Sequence, residues 1–241
     1  KAFSELFGES ARKWVDPLLP FKAGLDALFD EYLLTGGVMP AANEFFGRKE
    51  ISNNTYELYL QLFFGDVARL KRDEGVAKKV LSSVFKHLQS RVGWQAISRE
   101  SGLPSVLTIQ DYAGVLQNLF VLNVYNAFDQ NNKQPKHRSE KKLQIPNPFF
   151  FHAFRGLLEN PAGDYFQQAR SFMLKPEGKA ALAESVVGDH LSRLAYGHKP
   201  SDLFDQSNSV FYVKNARGET IDFIARLPSG FLPVEVKYQS S

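Results

Sequence analysis

Two short segments near the end of the sequence constrain the fold most, because their apolar residues recur at every second position. In residues 221–227 the apolar side chains leave Asp222 between them, and in residues 232–237 they leave Glu235 and Lys237. Successive side chains of a strand lie on opposite faces of a sheet, so each segment predicts a strand with one apolar and one charged face. The Pro-Ser-Gly turn between the segments predicts a β-hairpin.

The apolar pattern also predicts the register of this hairpin. A four-residue loop from Leu227 to Gly230 lets the two apolar faces pair and places Asp222 directly opposite Glu235. A three-residue loop would instead place the two carboxylates on opposite faces. We therefore expect Asp222, Glu235 and Lys237 to lie together on one charged patch.

Such a patch has two interpretations. Two neighbouring carboxylates repel each other unless a cation lies between them, and Lys237 could be that cation in a structural ion pair. Alternatively, Asp222 and Glu235 could bind Mg²⁺, which prefers oxygen ligands and readily bridges to phosphate. With Lys237 beside the metal, the patch could then activate a water molecule for attack on a phosphodiester. The same short pattern also arises by chance in amphipathic strands that have no chemistry.

The hairpin residues also carry a family resemblance. Ile221–Ile224 and Val234–Lys237 resemble the "(V/I)DFI … P(I/V)EVK" signature of the PD-(D/E)XK nuclease-like superfamily. Other segments resemble, in the same order, motifs of a large prokaryotic family of AAA-type ATPases in which an uncharacterised domain follows the ATPase module. These segments are Tyr32–Gly37, Phe64–Arg69, Ser105–Leu119 and Ala180–Leu191.

This resemblance implies a multi-domain α+β protein. Residues 1–75 would be a helical, lid-like segment of the ATPase module, residues 76–145 a winged helix-turn-helix, and residues 146–241 a PD-(D/E)XK (restriction-endonuclease-like) α/β domain, truncated at its C-terminus. ATP would bind to a part of the intact protein upstream of Lys1. The absence of an initiating Met at Lys1 also leads us to expect a piece of a longer chain.

The resemblance further implies that Asp222 and Glu235 bind Mg²⁺ and that Lys237 and Glu184 complete the catalytic set. Some positions depart from the family pattern. Thr220 stands where the family often has Glu, and Ser185 and Asn147 stand where it has Asn and an acid. These departures keep open the alternative of a non-catalytic module that binds nucleic acid or protein and is coupled to the upstream ATPase.

The middle of the chain independently predicts a winged helix-turn-helix. Helical patterns at 76–92 and 94–100 and from Thr108 onward, with a capping-box variant at Thr108 and Asp111, precede a strand at 121–128. The third helix carries no Lys or Arg, so base readout is not expected, and protein contact is the alternative. The loop at 129–142 predicts a wing that contacts nucleic-acid phosphates. Its basic residues are Lys133, Lys136, Arg138, Lys141 and Lys142.

Composition bounds the remaining possibilities. The sequence has no Cys, which excludes disulfides and cysteine zinc sites and fits a reducing cytoplasm. No apolar run is long enough to cross a bilayer and no secretory segment is present, so we expect a cytoplasmic protein with no membrane partner. The formal net charge of +3 is too small to indicate a partner. Nothing in the sequence predicts the oligomeric state.

Overall fold

The computed structural model describes residues 11–88, 90–198, 205–214 and 220–238. They form an α+β fold in which helices pack against one mixed six-stranded sheet, so the predicted α+β class is confirmed. The helices are α1 Ala11–Val15, α2 Lys22–Thr35, α3 Met39–Arg48, α4 Asn53–Arg69, α5 Glu74–Phe85, α6 Trp94–Ser101, α7 Val106–Asn118, α8 Pro148–Glu159, α9 Tyr165–Met173 and α10 Pro176–His198. The strands are β1 Arg91–Val92, β2 Asn123–Asp129, β3 Gln134–Gln144, β4 Val210–Lys214, β5 Thr220–Leu227 and β6 Gly230–Val234.

The sheet joins the predicted wing to the predicted nuclease-like domain. Its strand order is β1-β3-β2-β4-β5-β6. β2 and β4 are parallel, with Asn126 paired to Phe211, and the other neighbouring strands are antiparallel. The sheet is therefore continuous across the predicted boundary at residue 145, and the two segments share hydrogen bonds as well as a chain connection.

Helices and sheet share a hydrophobic core that also includes the N-terminal segment. The largest cluster of buried side chains extends from Leu33 in α2 to Val186 in α10 and includes residues of all three predicted segments. Two smaller clusters lie on the two faces of the sheet. Tyr125, Leu191 and Phe223 belong to the cluster on the α10 face, and the other face holds Phe128, Phe211, Val213 and Ile224. Both faces of the sheet thus carry buried apolar side chains.

The predicted order of elements in the middle of the chain is confirmed. Helices α5, α6 and α7 are followed by the hairpin of β2 and β3, and β1 pairs with β3. The predicted start of the third helix at Thr108 is wrong, because α7 begins at Val106. Asp111 does not complete a capping box there, since its carboxylate pairs with Arg72 at 2.8 Å. Within the described ranges, no helix is long and apolar enough to cross a membrane.

Asn147, one of the departures from the family pattern, has a structural role. Its side-chain oxygen caps α8 by accepting from the backbone N–H of Phe149 at 3.0 Å, and its Nδ2 donates to the Gly36 carbonyl at 2.9 Å. An aspartate could cap the helix but could not donate to that carbonyl. Asn147 therefore ties α8 to the turn that ends α2.

Buried His152 predicts an acid sensitivity of the fold. Its Nε2 lies 3.0 Å from the Leu33 carbonyl, and burial lowers the pKa of His152 from 6.5 to about 4. Because the unfolded state binds the proton more readily, the contribution of His152 to stability is complete above pH 6.5 and is lost as the pH falls towards 4. We expect the free energy of unfolding to fall by about 3 kcal/mol over this window.

Urea unfolding at several pH values measures this dependence. His152→Met removes the titrating group, so the variant should show a shallower pH dependence between 6.5 and 4 than the wild type. Equal slopes for the two proteins would contradict the assignment to His152.

Candidate functional site: a lysine between two carboxylates

The terminal hairpin has the predicted register. Phe223 pairs with Val234, Ala225 with Leu232, and Leu227 with Gly230. The four-residue loop is therefore confirmed. If the same register continued for one more residue, the backbone of Asp222 would lie opposite that of Glu235. The described pairs end at Phe223 and Val234.

A bulge in β5 changes the face on which the Asp222 side chain lies. Phe211 of β4 pairs with Ile224 of β5, and Val213 of β4 pairs with Ile221 of β5. The single β4 residue between these pairs therefore lies opposite two β5 residues, Asp222 and Phe223. Ile221 consequently packs on the same cluster as Ile224, while Phe223 packs on the α10 face. The predicted common face for Ile221 and Phe223 is wrong for this reason. Asp222 is brought to the α10 face.

On that face, Asp222 and Glu184 share one cation, the ammonium of Lys142. Lys142 Nζ lies 2.6 Å from Glu184 Oε1 and 3.5 Å from Asp222 Oδ1, and it donates to the Asp222 backbone carbonyl at 3.0 Å. The Lys142 side chain is only 8% exposed, and its Nζ lies 4.2 Å from the centre of the Phe223 ring. The second Asp222 oxygen accepts from the Val236 N–H at 3.0 Å.

The alternation of side chains along β3 and a glycine in α10 bring these groups together. Lys142 and Gln144 are two residues apart on β3, so they lie on the same face, and Gln144 Nε2 donates to Glu184 Oε1 at 3.0 Å. One turn after Glu184, Gly188 lets α10 approach the sheet closely. A β-carbon there would lie 2.7 Å from Tyr125 Oη and 2.8 Å from Gln144 Oε1.

The cluster lies at the wall of an open cleft of about 350 Å³. Ser90 and Arg91 line the cleft from the β1 side, and Glu177 and Ala181 line it from α10. Arg91 packs over the Tyr212 ring, with its guanidinium carbon 5.0 Å from the ring centre. The cleft therefore combines carboxylates with two cationic side chains, a composition that suits a phosphate ester together with a metal ion.

Glu235 and Lys237 lie elsewhere. Both are exposed, and neither lines the cleft. Val234 and Val236 pack on the α10-face cluster, so alternation directs the Glu235 side chain away from it. In the part of the chain that the structure describes, neither side chain makes an ion pair or hydrogen bond. The structure thus brings together Asp222 and Glu184 of the predicted set but not Glu235 and Lys237.

The predicted basic loop divides into an exposed and a buried part. Residues 134–144 form β3, so the predicted loop at 129–142 is wrong in extent. Lys133, Lys136 and Arg138 are exposed at the outer end of the β2–β3 hairpin, as a phosphate-contacting surface requires. Lys141 and Lys142 are buried, with 4% and 6% exposure.

Lys141 stabilises a bulge in β3. The β2–β3 pairing passes from Asn126–Lys141 to Ala127–Lys136, so residues 137–140 loop out. Lys141 Nζ donates to the carbonyls of His137 at 2.8 Å and Ser139 at 2.5 Å, and burial lowers the pKa of Lys141. Its ammonium is therefore occupied by the backbone, and it does not add to the exposed basic surface.

Sequence reasoning missed three groups of this cleft: Lys142 as the partner of the carboxylates, Gln144 and Arg91. The available signal was the alternation of Lys142 and Gln144 with Leu143 and Ile145, which is typical of a strand. The prediction of a loop at 129–142 leaves Lys142 without an assigned face.

A second cleft, of about 360 Å³, lies between the end of α4 and α7. It is lined by Leu70, Arg72, Asp111 and neighbouring residues, but Arg72 and Asp111 neutralise each other. It therefore offers less reactive chemistry than the Lys142 cleft.

The Lys142 cleft can be tested for its fit to Mg²⁺. Among the described residues no three His, Cys, Asp or Glu side chains form a metal-holding group. Two carboxylates nevertheless converge on one cation position, and the Asp222 carbonyl adds a third oxygen ligand, of a kind that Mg²⁺ accepts.

Comparison with protein-family models, curated proteins and solved structures finds no match for this chain.

Proposed function

We propose that this chain binds nucleic-acid phosphodiesters at the Lys142 cleft and hydrolyses them with Mg²⁺. We also propose that it is the C-terminal part of a cytoplasmic AAA-type ATPase, whose upstream module binds ATP, because its motifs resemble that family in order. The observation that carries the proposal is the convergence of Asp222 and Glu184 on one cation position at the wall of an open cleft.

Each group of the cleft has a part in this chemistry. Asp222 and Glu184 would hold the metal, which when bound polarises a phosphoryl oxygen and lowers the pKa of a water molecule. Gln144 orients Glu184 through its hydrogen bond. Arg91 lines the same cleft and can pair with a non-bridging phosphate oxygen, which stabilises the charge that develops there. Glu235 and Lys237 keep their predicted roles only as predictions, without a contact that supports them.

The exposed end of the β2–β3 hairpin supports nucleic acid as the partner. Lys133, Lys136 and Arg138 are free to contact backbone phosphates, an interaction that is independent of sequence and weakens with salt. The absence of Lys and Arg from α7 argues against base readout. We therefore propose binding without sequence specificity.

One observation favours a second candidate function. Lys142 already lies between both carboxylates, so the cluster is a closed ion-pair network of the kind that a purely structural site would have. On this alternative the chain is a non-catalytic module that couples an upstream ATPase to nucleic acid or to a protein partner.

A cleavage assay separates these functions. The chain is incubated with end-labelled single-stranded DNA, duplex DNA and RNA in Mg²⁺, in Mn²⁺ and in EDTA. The proposed function predicts fragments of at least one substrate in the presence of metal and none in EDTA. Salt-sensitive binding without fragments would support the second candidate with nucleic acid as its partner. The absence of both binding and cleavage would contradict the proposed function and would leave only a protein partner for the second candidate.

A further inference from the structure

The ammonium of Lys142 lies where the oxygen atoms of this cleft converge. Its hydrogen-bond partners and ion-pair partners are the Glu184 carboxylate, the Asp222 carboxylate and the Asp222 carbonyl, at 2.6, 3.5 and 3.0 Å. Oxygen atoms of these kinds are the ligands of hard divalent cations, which hold them at about 2.0–2.6 Å. The position of Nζ is thus chemically a cation site that a side chain of the protein fills.

A further oxygen, Oε1 of the Gln144 amide that bonds Glu184, has no hydrogen-bond partner among the described residues. Gln144 is 2% exposed and lines the cleft, and its Oε1 makes no hydrogen bond within the described residues. The bond from Nε2 to Glu184 fixes the orientation of the amide, because the carboxylate requires a donor. Buried acceptors are nearly always satisfied in folded proteins, so this unpaired amide oxygen leaves a position next to Glu184 for a further donor or cation.

We infer that Lys142 is an exchangeable resident cation, and that a divalent metal binds by displacing its ammonium and by recruiting Gln144 Oε1 as a ligand beside Glu184 and Asp222. This inference rests on the proposed location of the metal site. It adds a ligand and a competing cation that the sequence did not indicate.

Charge and space both favour this exchange. With one ammonium, the two carboxylates keep a net charge of −1, whereas a divalent cation would neutralise both of them. The displaced side chain has room to move, because Lys142 itself borders the cleft of about 350 Å³. In the cleft its ammonium would lie with Arg91, where a phosphate group can accept from both. Displacement thus turns a counter-ion of the carboxylates into a phosphate ligand.

Mn²⁺ binding by the purified chain, measured calorimetrically at pH 8, tests the competition. Lys142→Met removes the resident cation and keeps a long apolar stem, so we expect it to bind Mn²⁺ about ten-fold more tightly than the wild type. Gln144→Leu removes only the amide and should bind Mn²⁺ more weakly than the wild type. Unchanged or weaker binding by Lys142→Met, or no effect of Gln144→Leu, would overturn the inference.

A labelling experiment on the wild-type chain does not depend on how the variants fold. Lysines are acetylated with and without saturating Mn²⁺, and the modification is located by mass spectrometry, with the exposed Lys136 as internal control. Displacement predicts a several-fold rise in labelling of Lys142 and no change at Lys136. Unchanged labelling of Lys142 at saturating Mn²⁺, or no Mn²⁺ binding by either wild type or Lys142→Met, overturns the inference. Neither readout requires cleavage, so failure of the proposed hydrolysis is recognised separately.

Discussion

Asp222→Asn is expected to reduce metal-dependent cleavage about 100-fold or more, which corresponds to about 3 kcal/mol of transition-state stabilisation. The substitution keeps the size of the side chain and one oxygen for the Val236 N–H, but it removes the charge that Asp222 contributes to the cation position. The rate is measured as kcat/KM at saturating Mg²⁺, on the substrate that the wild type cleaves best.

Glu235→Gln is the matched control for this prediction. It makes the same change of charge at the residue directly after β6, on an exposed side chain that does not line the cleft. We expect it to retain nearly all of the wild-type activity. Similar losses of activity in Glu235→Gln and Asp222→Asn would show that both carboxylates act on the face that strict alternation predicted. An inactive Glu235→Gln beside an active Asp222→Asn would contradict the Lys142 cleft as the catalytic site.

Gly36→Ala is expected to destabilise the fold by about 3 kcal/mol or more. Gly36 has a φ of +58°, and a β-carbon there would lie 2.2 Å from Asn147 Oδ1 and 2.7 Å from the Phe149 backbone nitrogen. The Phe149 nitrogen belongs to the first turn of α8 and cannot move without breaking the cap. The substitution therefore combines left-handed strain with the loss of the α8 N-cap.

Gly37→Ala separates these two causes. Gly37 also has a positive φ, of +68°, but a β-carbon there would meet only the Tyr32 ring, at the ordinary contact distance of 3.4 Å. We expect Gly37→Ala to lower the free energy of unfolding by about 1 kcal/mol, which is the cost of the left-handed conformation alone. Urea unfolding of the two variants measures the difference. Equal destabilisation would mean that the contact between the α2 turn and α8 does not matter.

The hairpin shows what the sequence could and could not predict. Its strands and register followed from the apolar pattern and the turn residues, and both are confirmed. The face of Asp222 could not be read from that pattern, because the sheet is apolar on both sides. Ile221 and Phe223 are both at least partly buried, but they pack in different clusters. A bulge between them therefore does not interrupt the alternation of apolar and polar residues in the sequence.

The lysines of β3 show a different limit. Charge counting predicts an exposed basic loop, and Lys133, which precedes β3, and Lys136 are both exposed. For Lys142 it does not hold, because its partner Asp222 is 80 residues away and the pairing depends on the order of strands in the sheet. A local excess of charge cannot indicate which lysines are neutralised by long-range contacts.

Anomalous diffraction from crystals of the chain soaked in Mn²⁺ tests the central claim most directly. The proposed site predicts a peak within about 2.0–2.6 Å of oxygen atoms of both Asp222 and Glu184, with the Lys142 ammonium moved from its place between them. A Mn²⁺ peak at Glu235 instead, or a cluster still closed by Lys142 at saturating Mn²⁺, would contradict it.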